Sequence, residues 1–141
     1  MGILKIVVFK IGDEEYGLDI NQVQSIERIL PITRVPNAPS FVTGVINLRG
    51  NVTPVIDLRK KLDMGEAEFT EASRVLITSY EDIELGWIVD ETSDVFDIDP
   101  EMIQTTSSTV YNSVYFSEIA KIEDRLIILL KLPELMKETD V

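Results

Sequence analysis

The chain has 141 residues, 45% of them hydrophobic, so it is long enough for one ordinary domain or two small packed lobes with a hydrophobic core. It has no cysteine and no histidine, which excludes disulfides, thiolate nucleophiles, most zinc sites and the commonest general base. The net charge of −12 disfavours nucleic acid and anionic lipid as partners, and indicates either a solubilising surface or an acidic docking surface.

The N-terminal segment predicts two strands. Residues 5–11 (KIVVFKI) form a β-branched run that ends at an acidic turn beginning with Gly12, and apolar residues then alternate over 16–20. No apolar run reaches the roughly 18 residues of a membrane span, and the N-terminus lacks a small-residue cleavage site. These features predict a cytoplasmic protein.

The next stretch is less regular. Residues 21–27 are too short to decide between a helical turn and a loop, and we predict a turn leading into a strand near Ile29. Three prolines then predict a fixed, non-helical connector over 31–40.

A β-hairpin is predicted from 41 to 58. Two apolar runs, 42–48 and 52–58, flank Arg49-Gly50-Asn51, where Gly50 can adopt the positive φ of a tight turn. Arg49 is not needed to build such a turn. It is therefore either a solvated turn residue or a contact for a partner.

The remaining elements repeat the first ones. A short helical turn over 57–62 and a polar loop over 63–73 precede two further strands, 74–79 and 84–89, joined by an acidic turn. Residues 5–20 align with 74–89, run for run and with Gly17 on Gly86.

After a small insertion, 41–62 aligns with 115–136. The chain thus contains two copies of an all-β unit, and a unit of about 60 residues alone buries only a marginal core. We expect the two units to pack together with a groove between them.

The second copy differs in three places. Its last turn carries Glu123-Asp124 instead of Arg49-Gly50, and residues 105–109 (TTSST) predict a polar loop. Pro133 marks the start of a final helical segment. That segment presents one apolar face: Leu132, Leu135 and Met136.

No catalytic motif is present. The sequence lacks the nucleotide-binding glycine patterns and the nucleophile elbow. The acidic run 90–101 has Val95 where a calcium loop needs glycine, so it predicts a half-exposed strand followed by a helical turn from Asp99. Trp87 falls in a strand and is expected in the core. We predict no enzyme activity, no cofactor and no metal site.

Three blocks resemble the CheW family, the coupling proteins of bacterial chemotaxis: GDEEYGLDI at 12–20, GVINLRG at 44–50 and GWIVDETSDV at 86–95. The similarity extends over about residues 5–137 with the order of the blocks kept. The second block continues into four further matching positions: Pro54, Ile56, Asp57 and Leu58.

The resemblance implies a mostly β fold of two five-stranded β-barrel lobes with short helical segments. The chain would be one CheW-like domain, 1–141, with lobes at about 5–73 and 74–138 and terminal strands able to exchange between them. It also implies a non-catalytic scaffold for signal transduction. Such adaptors couple the cytoplasmic tip of methyl-accepting chemoreceptors to the regulatory domain of the histidine kinase CheA, in cytoplasmic arrays on membrane-bound receptors.

The resemblance also suggests binding residues. The kinase-facing surface would include Val23, Ser25, Gly44 and Arg49. The receptor groove would include Ile29, Val35, Arg49 and Val95. Arg49 would also help to hold the lobes in relation, and Ser25 departs from relatives that carry an acidic residue there.

Two other interpretations stay open. A small carboxylate-lined ligand-binding or hydrolase barrel would need a deep pocket with converging acids. A CheW-like domain cut from a larger protein is the other, although Met1 lies shortly before the first strand, which favours a complete protein.

Overall fold

The computed structural model describes residues 2–105 and 118–137. The strands are β1 (Leu4–Ile11), β2 (Glu14–Asp19), β3 (Val23–Arg28), β4 (Val42–Leu48), β5 (Asn51–Asp57), β6 (Arg74–Tyr80), β7 (Ile83–Val89), β8 (Glu91–Ile98), β9 (Ile103–Thr105), β10 (Glu118–Ile122) and β11 (Arg125–Leu129). Two short helices, α1 (Leu58–Lys61) and α2 (Leu132–Met136), follow β5 and β11, and 3-10 turns cover Ile20–Gln22 and Pro100–Met102.

The strands form two sheets, which we call lobe A and lobe B. Lobe A has the order β8-β1-β2-β11-β10-β9, and lobe B has the order β3-β6-β7-β5-β4. The predicted mostly β architecture, with two lobes and short helical segments, is confirmed.

The internal repeat is confirmed at the level of strand register. In lobe A, Leu129 of β11 is the parallel partner of Gly17 in β2. In lobe B, Val55 of β5 is the parallel partner of Gly86 in β7. The alignment of the two copies places Gly17 on Gly86 and Val55 on Leu129, so the same pairing occurs in both lobes.

The lobes do not coincide with the two halves of the sequence. The hairpin β1–β2 lies in lobe A, beside strands from the second half, and β6–β7 lies in lobe B, beside strands from the first half. The sequence intervals 5–73 and 74–138 therefore delimit the two copies of the repeat. Each sheet is built from both copies, with the first two strands of each copy exchanged.

The resemblance implied two five-stranded β-barrel lobes, whereas the described residues form a six-stranded lobe A and a five-stranded lobe B, neither of which is a closed barrel. The strands at the ends of each sheet do not pair with one another. Instead, the chain that follows the edge strand bends over to the opposite edge: Thr33 bridges to Val45 in lobe B, and Gln104 of β9 pairs with Ile119 in lobe A. Proline-rich or helical turns interrupt the ladder before each of these bends, so neither sheet closes by continuous pairing.

Within residues 2–105 and 118–137, the buried hydrophobic residues form three clusters. Lobe A and lobe B each enclose a small cluster of their own. A larger central core joins the two sheets and receives β1, β2, β6, β7 and both helices. Its fully buried members include Phe9, Leu18, Ile56, Leu58, Leu76, Trp87, Leu132 and Leu135.

Trp87 and the strand near Ile29 can be compared with the local structure predicted for them. Trp87 is 1% exposed and donates from Nε1 to Thr78 Oγ1 at 2.8 Å, as expected for a core residue. The strand expected near Ile29 begins earlier, at Val23. It ends at Arg28, because Pro31 lacks an N–H and disfavours continued pairing. The predicted loop 105–109 lies outside the described residues after Thr105.

Candidate partner-binding surface

The tip of the β4–β5 hairpin carries Arg49. Both tip residues have positive φ, 51° at Arg49 and 86° at Gly50, which is the pattern of a two-residue type I′ turn. The corresponding residue of the other copy, Glu123, has φ 55°. The two hairpins thus share a positive φ at the first turn residue and differ in the charge that this residue presents.

Arg49 forms an ion pair with Glu27 of β3. Nη2 of Arg49 lies 3.1 Å from Oε2 of Glu27, while 69% of the Arg49 side chain remains exposed. The pair joins the edge strand β3 to the turn that follows β4, the other edge strand of lobe B. An exposed pair of this kind stabilises a fold by about 1 kcal/mol at most, so a competing partner displaces it at little cost.

This contact stays within one lobe. Glu27 and Arg49 both belong to lobe B, so their ion pair does not hold the two lobes in relation. The implied interlobe role of Arg49 has no counterpart in this ion pair.

The edge strand β3 carries two of the candidate kinase contacts. Val23 is half-buried against the central core. Ser25 is half-buried, and its Oγ has no hydrogen-bond partner within the described part of the chain. Next to it, Ile26 is 42% exposed and was not singled out from the sequence. Its exposure on an edge strand makes it a further candidate contact.

Gly44 has a packing role inside lobe B. It is buried in β4, and a Cβ built there would lie 2.3 Å from the carbonyl oxygen of Thr33. Thr33 and Val45 exchange backbone hydrogen bonds of 2.9 Å and 2.8 Å beside it. Glycine is therefore required where the connector crosses β4, independently of any partner.

The candidate groove residues divide between the lobes. Ile29 packs against the core of lobe B, and Val35 is 43% exposed on the connector. Val95 is 50% exposed on β8, at the edge of lobe A. The four candidate kinase contacts all belong to lobe B, whereas the candidate groove draws on both lobes.

Val35 lines a cleft of about 800 Å³ between the connector, α1 and the loop that follows it. Phe69, which is 53% exposed, lines the same cleft. Phe69 lies in the loop 63–73, whose overall polar composition did not single it out as a candidate contact. A lone aromatic residue in an otherwise polar loop was the signal that could have identified it.

The buried acidic side chain Asp57 has a structural role within the described part of the chain. Asp57 is buried and accepts backbone hydrogen bonds from Arg59, Lys60 and Ala67, which explains its burial structurally. The described residues contain no cluster of three acids that could hold a metal ion. The carboxylate-lined barrel gains no support from these contacts.

Two carboxylates with shifted pKa values are paired with arginine. The Arg125 guanidinium hydrogen-bonds Glu15 and lowers its pKa, despite an opposing effect of burial. For Asp90, burial favours a raised pKa, but hydrogen bonds from Arg59 and the Gly12 N–H outweigh it and the pKa is lowered. Neither carboxylate has the raised proton affinity of a general acid.

Two open sheets, a shared core and apolar residues exposed on edge strands define a β-sheet interaction module. No helix within residues 2–105 and 118–137 is long and apolar enough to cross a membrane. The family model described as CheW-like domain matches residues 5–140. The chain belongs to this family, and it is a non-catalytic adaptor of chemotaxis.

Individual relatives agree with this assignment. The chemotaxis protein CheW of Bacillus subtilis is 45% identical over 125 residues, which cover 87% of this chain and 80% of the relative. The chemotaxis protein CheW of Helicobacter pylori is 36% identical over 141 residues, 96% of this chain and 83% of the relative.

A solved structure has the same fold. The crystal structure of the scaffolding protein TtCheW from Thermoanaerobacter tengcongensis superposes with a TM-score of 0.89 at 37% identity, covering 97% of this chain and 94% of that one. The resemblance seen in the sequence is thereby confirmed.

Proposed function

We propose that this adaptor couples the cytoplasmic tip of chemoreceptors to the regulatory domain of the histidine kinase CheA, in arrays associated with the membrane-bound receptors. The exposed Arg49 at the β4–β5 tip is the observation that carries the kinase half of this proposal. It lies in the segment that the sequence resemblance identified as the family's signature hairpin.

The kinase-binding face is assigned to the β3 edge and the β4–β5 tip of lobe B. Ile26 and Arg49 offer an apolar side chain and an exposed guanidinium, respectively, whereas the Ser25 hydroxyl oxygen beside them is buried and has no hydrogen-bond partner within the described residues. Arginine is enriched at interfaces because it combines an apolar stem with several directional donors. Val23 and Gly44 support this face from within, since one packs on the core and the other permits the crossing of the connector.

The receptor is assigned to the surface that includes Val35 and Val95, with Ile29 packed beneath it in lobe B. Val35 opens into the cleft that also contains Phe69. A helical partner would present apolar residues at helical spacing to such a surface. Because Val35 and Val95 lie on different lobes, a receptor that contacts both depends on how the lobes are arranged.

Calorimetric titration with a purified CheA regulatory domain tests the kinase half. We expect saturable one-to-one binding by the wild type and at least a tenfold loss of affinity in Arg49→Glu, about 1.4 kcal/mol or more. The melting temperature should hardly change, because the Arg49 side chain is 69% exposed. Arg49→Gln belongs in the same series, since glutamate at position 49 would also repel Glu27.

A matched control is Lys121→Glu, which makes the same charge change at an exposed position on β10 of lobe A. Equal losses in Arg49→Glu and Lys121→Glu would show a long-range charge effect instead of a contact. A large fall in the melting temperature of both Arg49 variants would make Arg49 a structural residue, and absence of wild-type binding would remove the kinase half of the proposal.

A further inference from the structure

The chain passes from lobe B to lobe A at Asp90, between β7 and β8. Arg59 lies in α1, which follows β5 of lobe B. Its guanidinium donates to both carboxylate oxygens of Asp90: Nε lies 3.1 Å from Oδ1, and Nη2 lies 2.5 Å from Oδ2. The Gly12 N–H, in the β1–β2 turn of lobe A, donates to the same Oδ2 at 2.7 Å. One carboxylate therefore connects elements of both lobes.

A backbone contact fixes Asp90 further on the side of lobe A. The Asp90 N–H donates to the carbonyl oxygen of Lys10 in β1 at 3.0 Å. Only about a quarter of the Arg59 and Asp90 side chains is exposed, 25% and 26%, so solvent screens their attraction incompletely. Bidentate arginine–carboxylate pairs combine charge with a defined planar geometry.

The central core alone does not provide this directionality. Apolar contacts between the two sheets hold the lobes together. The hydrophobic effect is non-directional, however, so these contacts tolerate small sliding movements between the packed sheets. The ion pair and the Gly12 hydrogen bond add fixed distances and angles at one rim of that core.

The internal repeat allows the Arg59–Asp90–Gly12 contacts to be compared with the equivalent positions of the other copy. The positions that correspond to Gly12, Arg59 and Asp90 in the other copy are occupied by Glu81, Pro133 and Asn21. Asn21 and Pro133 carry no charge, so these three residues cannot form an equivalent ion pair.

We propose that Arg59, Asp90 and the Gly12 N–H form an interlobe clamp that sets the relative position of lobes A and B. Arg59 and Asp90 are then positioning residues for any partner that contacts both lobes. This second consequence rests on the proposed receptor groove, whereas the clamp itself does not depend on any partner.

The direct test measures the distance between the lobes. The chain has no cysteine, so Asn47→Cys on β4 and Lys121→Cys on β10 place one spin label on each lobe, at exposed and repeat-equivalent positions. Pulsed electron–electron double resonance should give a narrow distance distribution for the parent chain. We expect Asp90→Asn to broaden or shift it, and Arg59→Lys to do the same, because lysine lacks the two-pronged geometry.

Glu15→Gln is the matched control. Glu15 also forms a bidentate pair, with Arg125, but both residues lie on neighbouring strands of lobe A. Its loss should leave the interlobe distribution unchanged while removing a similar ion pair. An unchanged distribution in folded Asp90→Asn and Arg59→Lys would overturn the clamp, as would equal broadening in Glu15→Gln.

Binding measurements separate the clamp from the proposed function. In Asp90→Asn we expect at least a threefold loss of affinity for a receptor-tip fragment and unchanged affinity for the kinase regulatory domain, which is assigned to lobe B alone. Equal affinities of the wild type and Asp90→Asn for the receptor-tip fragment would overturn the positioning role of Asp90. If the wild type binds neither partner while Asp90→Asn still broadens the distribution, the proposed function fails and the clamp stands.

Discussion

Gly44 and Arg49 belong to one hairpin and to one short sequence motif, yet they act in different ways. Gly44 is buried where the connector crosses β4, and Arg49 is exposed at the tip. The packing around Gly44 explains why this position needs glycine. The exposure of Arg49 leaves its guanidinium available for a partner, because its ion pair with Glu27 uses only part of it.

We expect Gly44→Ala to lower the free energy of unfolding by about 3 kcal/mol, the upper end of the effect of overpacking a well-filled site. The added Cβ would lie 2.3 Å from the Thr33 carbonyl oxygen, and a backbone atom cannot rotate away as a side chain can. Urea denaturation of the wild type and Gly44→Ala measures the difference in their free energies of unfolding.

The control for this substitution is Gly50→Ala. A Cβ added at Gly50 would have no neighbouring atom within 4 Å, but the residue has a φ of +86°, so alanine there should cost about 1 kcal/mol through backbone strain alone. Equal effects at the two positions would show that the contact with Thr33 relaxes, contrary to the packing argument.

Sequence reasoning at this scale identified Arg49 but missed Arg59 and Asp90. Arg49 stands out because it occupies a turn and is replaced by Glu123 in the other copy. Arg59 lies in an ordinary helical turn, and its partner is 31 residues away along the chain. Only the tertiary structure brings these two side chains together, so no spacing rule could have paired them.

At the scale of elements, continuous apolar runs correspond to strands buried on both faces. In β6, Val75 and Ile77 belong to the core of lobe B while Leu76 belongs to the central core. The edge strand β3 instead alternates between half-buried and exposed residues. This difference explains why β1 and β6 were predicted readily and why the start of β3 was missed.

The final helix α2 should be essential for the central core even though it is short. Leu135 is fully buried there, and we expect Leu135→Ala to lower the free energy of unfolding by about 2–5 kcal/mol, since truncation leaves a cavity. Denaturant titration followed by the fluorescence of Trp87, in the same core, reports the change.

Leu126→Ala provides the same chemical change at a side chain that is 60% exposed, and it should alter stability by no more than about 0.5 kcal/mol. A small effect of Leu135→Ala, comparable with that of Leu126→Ala, would mean that α2 can detach without loss of the core.

For the whole molecule, the sequence predicts the internal repeat, but it does not decide whether strands are exchanged between the lobes. Equivalent strands such as β1 and β6 carry the same apolar pattern, so pairing within a copy and pairing between copies bury similar side chains. The parallel contacts of β2 with β11 and of β5 with β7 select the exchanged arrangement. Those contacts join segments far apart in sequence, which local patterns do not encode.

The exchange predicts that neither half of the chain folds alone. A fragment covering 1–73 would contain β1 and β2 without β8 and β11, and β3 without β6, so both sheets would be incomplete. A fragment covering 74–141 would lack the complementary strands, and the central core would be divided between the two.

We therefore expect each fragment to lack a cooperative thermal transition by circular dichroism, while the intact chain unfolds in one transition because each sheet takes strands from both copies and the two sheets share a core. An equimolar mixture of the fragments should regain β structure, since all the pairing surfaces are again present. A separate fragment that melts cooperatively would show that a copy can close on itself. In that case the exchanged pairing would be one of two accessible arrangements, and the position of the lobes would depend on more than the Arg59–Asp90 clamp.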